Sequence, residues 1–442
     1  MYTKDDFGSN FRWGVSLAAY QVEGAHQDEG RGASIWDQFS NRKNRIDDGS
    51  NGNTACEFYY RYESDIALAK SLHLSHFRFS ISWTRIIPDG LGAVNQPGID
   101  FYNRLIDCCL ANGLEPWVTL YHWDLPLELE KKGGWTKRIV VNAFIRFVDV
   151  CSRSFGDRVT NWIVMNEPST FTGMGYLLGY YAPGRFGLKN YLPAVHHATL
   201  CQAEGARMIR RNLPKANIGT SISCSHVAPS SDKPKQLAAA RRVDALVNRL
   251  HIEPVLGMGY PIRDLPALEQ IEKYFHPYDE ELIKFQFDFI GIQNYFSLVA
   301  YHNPLVPYLN AFVVPFKKLN RPMTGNGWEI YPDGMYHIIK QFAAYPIKEL
   351  IITENGAAFH DRVVDGRVHD TRRQQYIQSY LGQVLRAKQE GVNIGGYFVW
   401  TLMDNFEWRA GFRSRFGIVY TDFVHQTRIV KDSGLWLKDF LK

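Results

Sequence analysis

Charge of one sign is missing from this chain. Its 442 residues carry 50 Lys and Arg against 45 Asp and Glu, a formal +5, with no Lys/Arg block. Such a balance reads as a solvated surface and excludes a nucleic-acid footprint. No apolar run approaches the roughly 20 residues of a membrane span. The opening Met1-Tyr2-Thr3-Lys4-Asp5-Asp6 has no apolar signal core either. Cysteine is sparse: Cys56, Cys108, Cys109, Cys151, Cys201 and Cys224 form no CxxC pair, and no His cluster joins them at zinc spacing. A disulfide framework and a metal site are therefore not expected, and the six read as buried free thiols. Together these absences point to a reducing, cytoplasmic home. Internal repeats, low-complexity tracts and linkers are absent too. Residues 1–442 thus read as one folding unit, long enough to bury a large core without staples.

What is present is alternation. Strand-like runs fall at 11–18, 76–82, 115–122, 160–166, 217–223, 287–295, 350–354 and 396–402. Amphipathic helical patterns lie between them at 56–72, 99–111, 137–155, 192–211, 236–250, 335–345 and 372–390. Strand-then-helix repetition argues for a parallel sheet with helical crossovers, and eight units predict a closed (β/α)8 TIM barrel. A doubly wound open sheet is the alternative. The Pro-, Gly- and Asn-rich stretches 42–54 and 296–332 read as long functional loops.

The strand ends carry the chemistry. Gln21 follows the first run, Arg78 lies in the second, and His122-Trp123 closes the third. Asn166-Glu167 closes the fourth, Tyr295 the sixth, Glu354 the seventh and Trp400 the eighth. In a parallel barrel these ends share one face. Strands four and seven stand on opposite sides of an eight-membered ring, so Glu167 and Glu354 are expected to face each other across its mouth. Paired carboxylates in that arrangement suit glycoside cleavage: one protonates the departing oxygen while the other works from the opposite face. Arg78 and Tyr295 would tune one carboxylate towards its ionised form, leaving the other, beside a negative partner, with a raised pKa. The chain is 14% aromatic, with 11 Trp. Most such rings pack a core, but a flat indole also matches the C–H face of a sugar ring.

At these residues the sequence resembles glycoside hydrolase family 1, the β-glucosidase family, over nearly its whole length. Trp162-Ile163-Val164-Met165-Asn166-Glu167-Pro168 is similar to the family's acid/base motif, and Ile352-Thr353-Glu354-Asn355-Gly356 to its nucleophile motif. Phe77–Trp83, Tyr121–Pro126, Asp404–Trp408 and Arg415-Phe416-Gly417 match in order. The resemblance implies a retaining β-glycosidase that releases a terminal non-reducing sugar, as from cellobiose, through a glycosyl-enzyme. It implies Glu167 as acid/base and Glu354 as nucleophile, helped by Arg78, Tyr295 and Asn166. Gln21, His122, Glu407 and Trp408 would hold the sugar with Trp400 beneath it. Trp123, Trp328 and Phe416 would line the site, with Trp328 on the aglycone side. No metal or organic cofactor is required, and the only partner expected is a small glycoside or oligosaccharide.

Two departures stand out. Relatives often read Asn-Tyr-Tyr where this chain has Gln293-Asn294-Tyr295, so Gln293 is a candidate site residue with an amide one methylene further out. Many relatives also carry Trp just after the Pro of the acid motif, where this chain has Ser169. Three other readings remain open: a 6-phospho-β-glycosidase, a transglycosylating member and a catalytically silent glycan-binding barrel. An ionised Glu407 would repel a 6-phosphate, whereas Arg413 and Arg415 could attract one.

Overall fold

Strands buried on both faces favour near-continuous apolar runs; Trp162–Met165 and Leu350–Ile352 read that way, whereas His76–Ser80 and Asn217–Ser223 mix in polar residues. The computed structural model describes residues 2–442. Its barrel strands are β1 (Arg12–Ser16), β2 (His76–Ser80), β3 (Glu115–Tyr121), β4 (Asn161–Asn166), β5 (Asn217–Ser223), β6 (Phe289–Gln293), β7 (Leu350–Asn355) and β8 (Ile394–Trp400). Each is parallel to its neighbours, and β1 pairs with both β2 and β8, which closes the ring in sequence order. The main helix after each strand packs outside: Phe58–Ser71, Gln96–Ala111, Ile139–Phe155, Leu188–Asn212, Pro234–Asp244, Pro332–Phe342, Thr371–Gln389 and Asp432–Phe440. This is the predicted (β/α)8 barrel; the open-sheet alternative is excluded.

The barrel interior is layered, because alternate residues of each strand point inward. Its floor is an apolar plug of Trp117, Ile163, Phe289, Ile351 and Phe398. Two strand glycines make room for it: a Cβ on Gly14 would lie 2.4 Å from the Phe398 ring, and one on Gly219 2.4 Å from Phe289. Two residues further along the strands comes a layer of hydroxyls. Ser221 Oγ donates to Thr353 Oγ1 at 3.0 Å, and Thr119 Oγ1 accepts from Arg78 Nε at 3.1 Å. The charged layer lies above this, at the C-terminal ends.

Two stretches differ from the sequence reading. The supposed loop 296–332 contains strands Leu298–His302 and Ala311–Val313, which join Val227–Pro229 in a three-stranded sheet outside the barrel. The helix expected over 236–250 is α-helical only to Asp244 and then widens into a π-turn, Ala245–Arg249. All six thiols are free and all but the half-buried Cys108 are buried. Among the described residues, no helix is long and apolar enough to cross a membrane, and no group of three or more His, Cys, Asp or Glu is arranged to hold a metal ion.

Candidate active site

Glu354 is the next-to-last residue of β7. Arg78, fully buried on β2, donates from Nη1 to its Oε1 at 2.5 Å, and Tyr295 donates from Oη to its Oε2 at 2.7 Å. Both carboxylate oxygens are thus held. A structural pairing of Arg78 with another acid is ruled out, since Glu354 is the carboxylate it meets. Burial raises the pKa of Glu354, while the Arg78 guanidinium and the Tyr295 hydroxyl pull it back down.

Glu167 is the residue just past β4. It takes a left-handed backbone (φ 47°) as the N-cap of the short helix Pro168–Thr172. Pro168 disfavours the right-handed helical region for the residue before it and supplies a helix-ready φ of its own. A left-handed non-glycine residue costs of order 1–3 kcal/mol, a strain typical of functional sites. Burial, then the charge of Glu354, pushes Glu167 up to about 8, against the weaker pull of the Thr170 and Ser223 hydroxyls and Arg78. Glu167 thus faces burial and a negative neighbour that oppose its ionisation, whereas Glu354 has two donors that favour its charged form, the contrast an acid and a nucleophile need.

Between them Asn166 is held in one orientation. Its Oδ1 accepts from Arg78 Nη2 at 2.6 Å and from Gln293 Nε2 at 2.7 Å. Arginine can only donate, so the carbonyl end is fixed and Nδ2 must face His122 Nε2, 3.0 Å away. His122 therefore accepts there and carries its proton on Nδ1, which has no protein partner. Burial and the nearby Arg78 keep His122 well below the ordinary histidine range, hence neutral. Trp123 closes the group, its Nε1 donating to the Asn166 carbonyl at 2.9 Å.

These groups surround a cavity of about 480 Å³, within the range of small-ligand sites. Trp408 packs against Trp123 in a tilted pair with ring centroids 4.5 Å apart, and His122 stacks on both Trp400 and Trp408. Gln21 is fully buried; its Nε2 donates to the Phe406 carbonyl at 2.9 Å and its Oε1 has no protein partner. On another side Tyr295 meets Trp328 and Phe416 edge to face, and those two rings meet at a tilt. The loop carrying Glu407 is anchored by Asp404, which accepts from Lys431 at 2.7 Å and Arg415 at 2.8 Å. Burial and the charge of Glu354 raise Glu407 to about 8.

The structure brings every sequence-predicted residue to one face, but not to one role in the wall. Glu167, Glu354, Asn166, Tyr295, His122, Trp123, Trp328, Trp400, Glu407, Trp408 and Phe416 line the cavity. Gln21, Arg78 and Gln293 stand behind it, each fully buried, and the last two are bonded to Asn166. Sequence reasoning missed Thr170, Ser223 and Tyr181. The first had a signal, lying three residues past Glu167 on a helix; the others come together only by folding. One expectation needs correcting. An ionised Glu407 is expected to exclude a 6-phosphate, but burial and the charge of Glu354 push its carboxyl up to about 8, which weakens that barrier near neutrality. Exclusion rests instead on the wall, which contains no Lys or Arg among the described residues. Arg415 is bound to Asp404, and Arg413 is paired 3.5 Å from Asp47.

Comparison with known proteins agrees with this geometry. The pattern of glycosyl hydrolase family 1 matches residues 3–442. Beta-glucosidase A of Thermotoga maritima is 41% identical over 439 residues, covering 99% of this chain and 98% of that protein. Beta-glucosidase A of Acetivibrio thermocellus is 40% identical over 448 residues, covering 100% and 99%. The solved structure of the Thermotoga maritima family 1 β-glucosidase superposes with a TM-score of 0.94 at 40% identity, covering 98% of this chain and 97% of that one. A complex of a Thermotoga maritima family 1 enzyme with a cyclophellitol-analogue transition-state mimic also superposes at 0.94. With its barrel, its paired glutamates and its full-length likeness, this chain belongs to glycosyl hydrolase family 1.

Proposed function

We propose that this protein is a retaining β-glucosidase in which Glu167 is the acid/base and Glu354 the nucleophile. The observation that carries the assignment is the asymmetry between the two carboxyl groups. Glu354 is clamped by Arg78 and Tyr295, which favour its charged form, whereas Glu167 is raised to about 8 and holds a proton near neutrality. Glu354 attacks the anomeric carbon as Glu167 transfers its proton to the departing glycosidic oxygen, forming a glycosyl ester and a free alcohol. Glu167, now ionised, takes a proton from water as that water attacks the anomeric carbon of the glycosyl ester and expels the Glu354 carboxylate. The sugar keeps its β configuration.

Binding follows from the same groups. His122 offers an Nδ1 proton and Gln21 an Oε1 acceptor, both without protein partners. Asn166, held by three neighbours, offers its remaining amide hydrogen to the 2-hydroxyl, a bond that strengthens in the transition state. A protonated Glu407 both donates and accepts, as sugar hydroxyls do. Trp400 and Trp408 give flat faces to the ring, and Trp123, Trp328 and Phe416 complete the enclosure. Residues 1–442 act as one catalytic unit, supported by a main core that runs from Phe7 to Leu441.

The test is a panel of chromogenic β-glycosides with NMR detection of the first-formed anomer. The glucoside should outrun its 6-phosphate and release β-glucose first. First release of the α-anomer, or preference for the phosphate, would overturn the assignment.

A further inference from the structure

The cavity has two halves of different chemistry. The hydroxyl-binding groups Gln21, His122 and Glu407 follow β1, β3 and β8, which lie on one arc of the ring. The opposite arc supplies a wall of another kind. Leu177, Leu178 and Tyr191 come from the segment after β4, Leu246 and Val247 from that after β5, and Leu298 from that after β6. Glu167, at the end of β4, stands where the halves meet and delivers its proton there. Among the described residues, the only carboxyl side chains lining the cavity are Glu167, Glu354 and Glu407, and no Lys or Arg joins them. The polar side chains from the wall's own segments include short hydroxyls, and two of them, Thr170 and Ser223, are already engaged with Glu167.

The wall is preformed. Leu177 and Leu246 rest on a buried cluster around Tyr191, Val195 and Leu250. Val247 and Leu298 rest on a second cluster, of Ala239, Val243 and Ala300. Asn248 ties the loop after β5, accepting from Ser225 N at 2.9 Å and donating to Ser225 O at 2.8 Å. Ser169, just after Pro168, adds a small side chain to the lining. A second sugar seated against Leu and Val would bury hydroxyls without partners, whereas a hydrocarbon loses nothing there and gains by leaving water.

We propose that the leaving-group half is a site for hydrocarbon-rich aglycones, so that β-glucosides of apolar alcohols are better substrates than those of a second sugar. This rests on the β-glucosidase reading above. The experiment is kcat/KM for n-alkyl β-glucosides from ethyl to hexyl, set against cellobiose. Leaving-group acidity barely changes along that series, so a slope reports burial of the chain. Each methylene should raise kcat/KM about two- to fourfold, the upper figure being the rate equivalent of about 0.8 kcal/mol per buried methylene. Ethyl to hexyl then spans roughly 15- to 250-fold, with hexyl ahead of cellobiose. Leu177→Asn and Leu246→Asn should flatten the hexyl-to-ethyl ratio. A flat wild-type series with cellobiose ahead would overturn the proposal while leaving the β-glucosidase reading intact. A slope untouched by both folded variants would overturn the assignment to this wall. Failure to turn over even an activated aryl β-glucoside would sink both readings. Should the variants fail to fold, the wild-type series decides alone.

Discussion

Replacing Arg78 by Met removes the one guanidinium bonded to Glu354 and leaves the Tyr295 bond in place. The two charge centres lie roughly 4 Å apart, and at an effective dielectric near 20 their attraction is about 4 kcal/mol. At 1.36 kcal/mol per pKa unit, losing it raises the Glu354 pKa by about three units. Burial already lifts that carboxyl above its ordinary range, so the shift carries it through neutrality. The nucleophile must be ionised to attack, so the acid limb of kcat/KM should move up by about three pH units, with a tenfold loss per unit below it. A neutral Glu354 also ceases to raise Glu167, so the alkaline limb should fall towards it; both limbs belong to the coupled pair. The assay is the pH profile of kcat/KM on an activated aryl β-glucoside, with thermal melts as the folding control. Arg78→Lys keeps the charge but not the fork that serves both Glu354 and Asn166, so its shift should be smaller. An acid limb that stays in place while activity drops uniformly would refute the electrostatic role and leave Arg78 a packing residue.

Glu167→Ala should lower turnover of poor leaving groups by about 10²–10⁴, the range of general acid catalysis, and spare activated aryl ones in the first step. Azide should restore turnover, and the alkaline limb set by a group near pH 8 in the wild type should disappear; equal losses for both substrate classes without rescue would make Glu167 structural. Gln293→Leu removes one of the two donors on Asn166 Oδ1 and should cost roughly 1–3 kcal/mol in kcat/KM, whereas Gln293→Asn keeps most activity. A 2-deoxyglucoside should barely register the Leu change, because the effect runs through Asn166; an equal loss on both substrates would count against that route.

The barrel was legible because its strands are buried on both faces. Asn161–Asn166 and Leu350–Asn355 are buried at every position, and each carries a short apolar run with a glutamate two residues beyond it. The sheet at Leu298–His302 was not legible. Its pairing partner Val227–Pro229 lies about 70 residues earlier, and Pro- and Asn-rich flanks masked the short alternation. Within the site, residue types at strand ends announced Glu167, Glu354 and Tyr295. The orientation of Asn166, the tautomer of His122 and the place of Gln293 behind the wall depend on who meets whom after closure. The upward shift of Glu407 depends on burial that no local pattern reports. The apolar wall likewise draws one to three residues from each of three separate segments.

The central claim is that Glu354 forms the covalent intermediate. Intact-mass and peptide analysis after incubation with a slow 2-fluoro-β-glucoside tests it directly. One added glycosyl unit, on the peptide containing Glu354 and absent from Glu354→Ala, is the predicted result. A label on Glu167 or on any other residue would contradict it.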